Sequence, residues 1–171
     1  MGTAVSSWRT AWLVFDPDGM GRRLQREAQR FRWAPVTRRC DRWAALSVAN
    51  LAEDVVKLVR ALGTGQRELA AIQRNILVED LPFVLAVRRR MFWASENDLW
   101  ERVGKVAPPA WRTAHRAGLG VRGSGFEDTC RGALDLYRLS VEDVYGLLST
   151  NQREVAVHAC RVAGRLPNVR G

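Results

Sequence analysis

Apolar residues recur along most of this chain at helical spacing. Between Asp41 and Leu62, the residues Trp43, Leu46, Leu51, Val55, Leu58, Val59 and Leu62 keep to one helical face, which predicts a single helix stopped by Gly63. A second helix runs from about Gln66 through Ile72, Ile76 and Leu77. Its continuation, Leu81 to Trp93, contains Pro82, which should kink or restart it. Ser95 with Asp98 is a variant capping box opening a short helix to about Val103, and Pro108-Pro109 opens another to Ala117. A loop with four glycines, Gly118 to Gly125, follows. Then Phe126 to Leu148 reads as one long amphipathic helix, or two broken near Ser140. A last helix runs from Thr150, with Thr150 and Asn151 as caps, to about Leu166.

The start of the chain has a different pattern. Trp8 to Phe15 is aromatic and β-branched and ends at Asp16-Pro17-Asp18-Gly19, which predicts a strand closed by a turn. Asp18 is then placed to cap a basic helix from Met20 to Phe31, and Trp33 to Arg39, with Pro35, reads as a linker. The expected fold is therefore mainly α, a bundle of about five helices preceded by a short N-terminal β-strand and helix. Residues 1–40 form the strand-turn-helix and linker, 41–166 the bundle, and 167–171 a frayed tail. A lone strand cannot satisfy its own backbone groups, so it is expected to pair with a second copy in a homodimer or with a sheet on another chain.

Composition narrows the class. With 171 residues, 47% of them apolar, the chain is long enough to bury a core and too apolar to be disordered over most of its length. Charged residues interrupt every apolar stretch before the roughly 20 residues a membrane helix needs, and Met1 to Trp8 lacks the pattern of a signal peptide. A cytoplasmic protein without membrane contact is expected. The net charge is +9, and all 27 basic residues except Lys57 and Lys105 are arginines. Arginine grips phosphates bidentately and stacks on bases, so RNA or another polyanion enters as a possible ligand; the same arginines, scattered as they are, also suit solvated helix surfaces. Cys40, Cys130 and Cys160 are widely spaced and show no zinc pattern, so no metal site is expected, only reduced thiols.

Three groups of residues have chemical potential. Asp16 and Asp18 form a D-x-D pair of the kind that holds a divalent cation, but Pro17 and Gly19 make the segment read as a turn. Glu79, Asp80, Glu96 and Asp98 stand near Trp93 and Trp100. Carboxylates beside tryptophans can hold a cationic or sugar-like small molecule, and these four acids are equally at home as helix caps and surface ion pairs. Arg153 and His158, spaced R-x-x-x-x-H, combine a general acid/base with a group that can stabilise phosphate charge.

Several of these stretches look familiar. Glu79-Asp80-Leu81-Pro82, the block from Arg88 to Trp100, Ala133-Leu134-Asp135-Leu136-Tyr137 and Gln152 to Ala159 resemble the helical C-terminal half of bacterial nucleotidyltransferases of the aminoglycoside and lincosamide type. Leu13 to Gly19 is similar to the final strand of the catalytic domain that precedes that half. In such enzymes the catalytic domain holds Mg²⁺ and a nucleoside triphosphate with a Gly-Ser turn and a D-x-D pair, and the helical half closes over the acceptor. No Gly-Ser turn stands upstream of residue 8 here, since Gly123-Ser124 lies more than a hundred residues later. The resemblance thus implies a substrate-binding domain, inactive alone, that would gain Mg²⁺ and triphosphate from a catalytic domain or subunit. Arg153 and His158 also resemble the motif of the related helical HEPN ribonucleases, although Glu154 stands where that motif more often has an amide. That resemblance implies metal-independent RNA cleavage as an alternative activity.

Overall fold

The computed structural model describes residues 2–121, 123 and 125–164. The helices are α1 (Gly2–Thr10), α2 (Met20–Arg30), α3 (Thr37–Asn50), α4 (Ala52–Gly63), α5 (Arg67–Arg88), α6 (Glu96–Val106), α7 (Pro109–Gly118), α8 (Phe126–Val144) and α9 (Thr150–Ala163), with short 3₁₀ turns at Ala34–Val36 and Tyr145–Leu147. Helices α3, α4, α5, α8 and α9 pack on one another around a core that includes Val48, Leu58, Leu77, Leu81, Leu136 and Tyr137. Helix α7 lies along α8, α6 leans on α5, and α1 with α2 forms a separate hairpin. The tail from Arg165 and the serine of the late Gly-Ser pair lie outside the described residues.

No strand occurs among the described residues, which corrects the expectation for Trp8 to Phe15. Residues up to Thr10 are helical, and Ala11 to Asp18 is irregular. β-propensity is expressed only where a neighbouring strand supplies a ladder, whereas a helix satisfies its own backbone. Tertiary contacts hold α1 in place. Ser6 Oγ accepts the Trp93 N–H at 3.2 Å, and the Arg9 guanidinium donates to the Ala28 and Gln29 carbonyls and lies 4.5 Å over the Phe92 ring. The turn at Asp16 to Gly19 forms, but the cap is Asp16 and not Asp18. Its carboxylate accepts the N–H groups of Gly21 (2.9 Å) and Arg22 (3.0 Å), and these bonds, Arg22's first, hold its pKa below the ordinary value. Gly21 sits close to this turn: a Cβ there would stand 2.9 Å from the tip of the Leu13 side chain, which would have to move aside.

Other boundaries also shift. The helix expected over 41–62 is two, broken at buried Leu51, where neither Gly nor Pro marks the break. The supposed linker is a 3₁₀ turn and the first turn of α3. The capping box of α9 is Ser149 with Gln152, not Thr150 and Asn151. Helix α7 crosses α8 closely because Gly118 and Gly132 meet: a Cβ on Gly132 would stand 2.5 Å from the Gly118 nitrogen.

Helix α5 passes through Pro82 without ending. Pro82 has no N–H to give the Val78 carbonyl, four residues back. His115, on α7, supplies the missing donor: its Nε2 lies 3.1 Å from that oxygen. A carbonyl only accepts, so Nε2 carries the proton. The imidazole stacks on Trp100 (5.3 Å, 12° between planes) and packs against Trp111 (5.1 Å). Burial lowers the His115 pKa, partly offset by the bond to Val78.

Two outcomes follow for unfolding experiments. His115→Phe keeps a ring between the tryptophans and removes the donor, so it should lose about 1–2 kcal/mol of stability. In a Pro82→Ala background, where residue 82 regains its N–H, the same substitution should cost clearly less; equal costs would refute the coupling. Because the folded pKa is depressed, the His115 contribution is complete above the ordinary 6.5 and is lost as pH falls below it. Urea midpoints should therefore drop between pH 7.5 and 5.5 more in the parent than in His115→Phe.

Candidate functional site

A cavity of about 570 Å³ opens between α3 and α5. Helix α3 contributes Arg39, Cys40, Trp43, Ser47 and Asn50, and α5 contributes Asp80, Phe83, Val84 and Val87. Phe31, Trp33 and Trp93 complete the wall. The two helices run antiparallel: Arg88 at the end of α5 bonds Asp41 near the start of α3, and Arg90, two residues further on, reaches back to the Thr37 carbonyl, so Asp80 falls toward the Asn50 end of α3.

Arg88, Arg89 and Arg90 fix this arrangement. Asp41 Oδ1 accepts from Arg88 Nη1 (3.1 Å) and Arg90 Nη2 (2.6 Å), and Asp143 on α8 pairs with Arg88 and Arg89. The run of arginines is thus an ionic clamp joining α3, α5 and α8. Arg90 adopts φ 54° and also donates to the Arg88 and Thr37 carbonyls, which turns the chain out of α5 toward Trp93. At that end of the cleft Trp33 packs 5.0 Å from Phe92 and 5.1 Å from Phe31; midway along it, Trp93 packs 6.1 Å from Phe83.

The expected acids have separate positions. Asp80 lines the cleft, exposed at its edge and free of any ion pair among the described residues; partial burial raises its pKa. Asp54 on α4 stands near enough to feel it. Burial raises the Asp54 pKa first, and the Asp80 charge adds to the rise. Glu79 is exposed and outside the cleft lining, and Glu96 is exposed in the first turn of α6. Asp98 is a cap: its Oδ2 accepts the Ala94 N–H at 2.8 Å, its Oδ1 pairs with Arg102, and its pKa is lowered by the first bond and then the second. Trp93, 4% exposed, belongs to the cleft wall; Trp100 sits behind it, 6.5 Å from Phe83 and stacked on His115.

Arg153 and His158 do not converge. Five residues of helix separate their directions by about 140°. The Arg153 guanidinium turns back to the Leu148 carbonyl (3.4 Å) and over the Tyr145 ring (4.8 Å), while His158 is exposed on α9. No group of three His, Cys, Asp or Glu side chains comes together among the described residues, and the Asp16 carboxylate is engaged by its capping bonds to Gly21 and Arg22. No described helix is long and apolar enough to cross a membrane.

Pattern reading missed Trp33, Arg39, Trp43 and Phe83. The pattern reads Trp33 and Arg39 as linker residues and Trp43 only as part of a helical apolar face, whereas Trp43 is 44% exposed and lines the cleft. The available signal was the density of aromatics on both sides of that segment. Comparison with protein-family models, curated proteins and solved structures finds no match to this chain.

The caps of α6 give a control. Ser95→Ala removes the hydroxyl that accepts the Asp98 N–H and should lower unfolding free energy by about 1 kcal/mol. Asp98→Asn should also destabilise, and its effect should fade as pH falls through the depressed pKa of the parent carboxylate. Neither variant should alter small-molecule binding in the cleft; a change there would return Asp98 to the site.

Proposed function

We propose that this chain is a non-catalytic helical module that binds a cationic acceptor molecule in the cleft between α3 and α5. The single observation that carries this reading is an unpaired carboxylate, Asp80, at the edge of a cavity walled by Trp33, Trp43, Phe83 and Trp93. Aromatic faces attract cations, and a partly desolvated carboxylate adds directional charge. The resemblance of Glu79 to Pro82 and of Arg88 to Trp100 to nucleotidyltransferase helical domains supports the same role. In that setting Mg²⁺ and the triphosphate are held by a separate catalytic domain or subunit. Trp12, Val14 and Phe15, exposed at 93%, 93% and 83%, supply an apolar surface for it.

Titration with dansylcadaverine, a primary amine joined to an aromatic body, tests the reading. Binding should be saturable. Asp80→Asn should weaken it about fivefold, in keeping with the ~1 kcal/mol of a partly exposed ion pair, and Trp43→Ala should weaken it through loss of a wall. Affinity should fall on acidification at a higher pH than an ordinary carboxylate would give, because protonation of Asp80 removes the charge that binds. Absence of saturable binding, or an Asp80→Asn variant that binds as the parent does, would overturn the assignment. Transfer of nucleotide by this chain alone would overturn its non-catalytic character.

A further inference from the structure

Two charges of opposite sign line the same cleft, and neither has an ion-pair partner among the described residues. Asp80 lies at the end shared with Asn50 and Leu51; Arg39 lies at the other, with Val36, Phe31 and Trp33. Along antiparallel helices rising 1.5 Å per residue, eight residues from Asp80 to Arg88 and two more from Asp41 back to Arg39 put the two ends on the order of 15 Å apart. That exceeds the roughly 10 Å over which exposed charges act on each other in salt, so they do not neutralise one another. Nor does Asp41 neutralise Arg39, because its carboxylate is taken by Arg88 and Arg90. At the Arg39 end the Trp33 indole N–H is enclosed without an acceptor. Between the ends the walls are Trp43, Phe83, Val84 and Trp93.

We propose that the ligand of this cleft is amphoteric and elongated: an amine at Asp80, a flat or apolar body along the aromatic walls, and an anionic group, phosphate or carboxylate, at Arg39. The proposal rests on the cation-binding reading above and adds a second anchor to it. Guanidinium is suited to that anchor, since it meets an oxyanion with two parallel N–H donors. A ligand with only one of the two charges leaves the other end of the cleft unused.

Calorimetric titration of the full chain with N⁶-(6-aminohexyl)-AMP tests this, because the probe has a phosphate, a flat base and a terminal amine in that order. N⁶-(6-aminohexyl)adenosine lacks the phosphate, and N⁶-hexyl-AMP lacks the amine. The complete probe should bind about tenfold more tightly than either. Arg39→Gln should erase its advantage over the phosphate-free compound and leave that compound's own affinity unchanged. Asp80→Asn should do the converse for the amine-free compound. Both positions are exposed, and matching circular dichroism spectra would show that the variants fold. If the phosphate-free compound binds as tightly as the complete probe and Arg39→Gln changes neither, the amphoteric ligand is wrong while the cation site stands. If neither amine-bearing compound binds the parent chain, both readings fall.

Discussion

The hydrogen bond from His115 to the Val78 carbonyl allows α5 to run unbroken through the centre of the bundle. Without it, Pro82 would leave a buried acceptor in the helix that contacts α3, α4, α6, α7 and α8. A buried unpaired carbonyl is expensive because the interior offers no water to replace the lost donor. The donor comes from α7, so the integrity of α5 depends on where α7 docks. That docking in turn uses the close approach of Gly118 to Gly132 and the Trp111 indole, whose N–H donates to Ser140 on α8 at 3.1 Å. Phe83 follows Pro82 and forms part of the cleft wall, so the repair of the helix also supports the cleft.

The ionic clamp acts at the other end of the cleft. Asp41 and Asp143 gather three consecutive arginines from the end of α5, and their side chains are only partly exposed, so the pairs are less screened than surface ones. The clamp aligns α3 against α5 and uses the local acids, leaving Arg39 without one. Among the described residues, arginines such as Arg88, Arg89 and Arg90 thus have structural work, while Arg39 has no ion pair. Arg9 and Arg153 are also committed, each to backbone carbonyls and an aromatic ring. Counting basic residues in the sequence gives no way to separate the two groups.

The candidate site was half legible. Asp80 and Trp93 could be named because a carboxylate and a tryptophan in one short region are a recognisable chemistry, and both line the cleft. Glu79, Glu96, Asp98 and Trp100 satisfy the same pattern and lie outside the cleft lining; a local pattern does not reveal which way a helix faces. The place of Trp33, Arg39 and Trp43 in the cleft depends on α5, some forty residues later in the chain, so no local pattern points to them. The R-x-x-x-x-H spacing shows the converse limit: the two residue types are correct for the chemistry, but helical geometry turns them apart.

Sequence alone determined the helical class, the ends at Gly63, Ser95, Pro109 and Phe126, and the turn at Asp16 to Gly19, because apolar periodicity, caps and turn residues act over a few positions. Tertiary structure decided the rest. It made Gly2 to Thr10 a helix, since no strand among the described residues offers a ladder and since Ser6 and Arg9 find partners in Trp93, Ala28 and Gln29. It broke the 41–62 helix at Leu51 so that α4 could turn onto α5 and α9, and it kept α5 whole through Pro82 by a donor from 33 residues downstream. Those outcomes depend on contacts between segments distant in the chain, and local propensity, at a few tenths of a kcal/mol to about 1 kcal/mol per residue and about 3 kcal/mol for a proline inside a helix, does not override them.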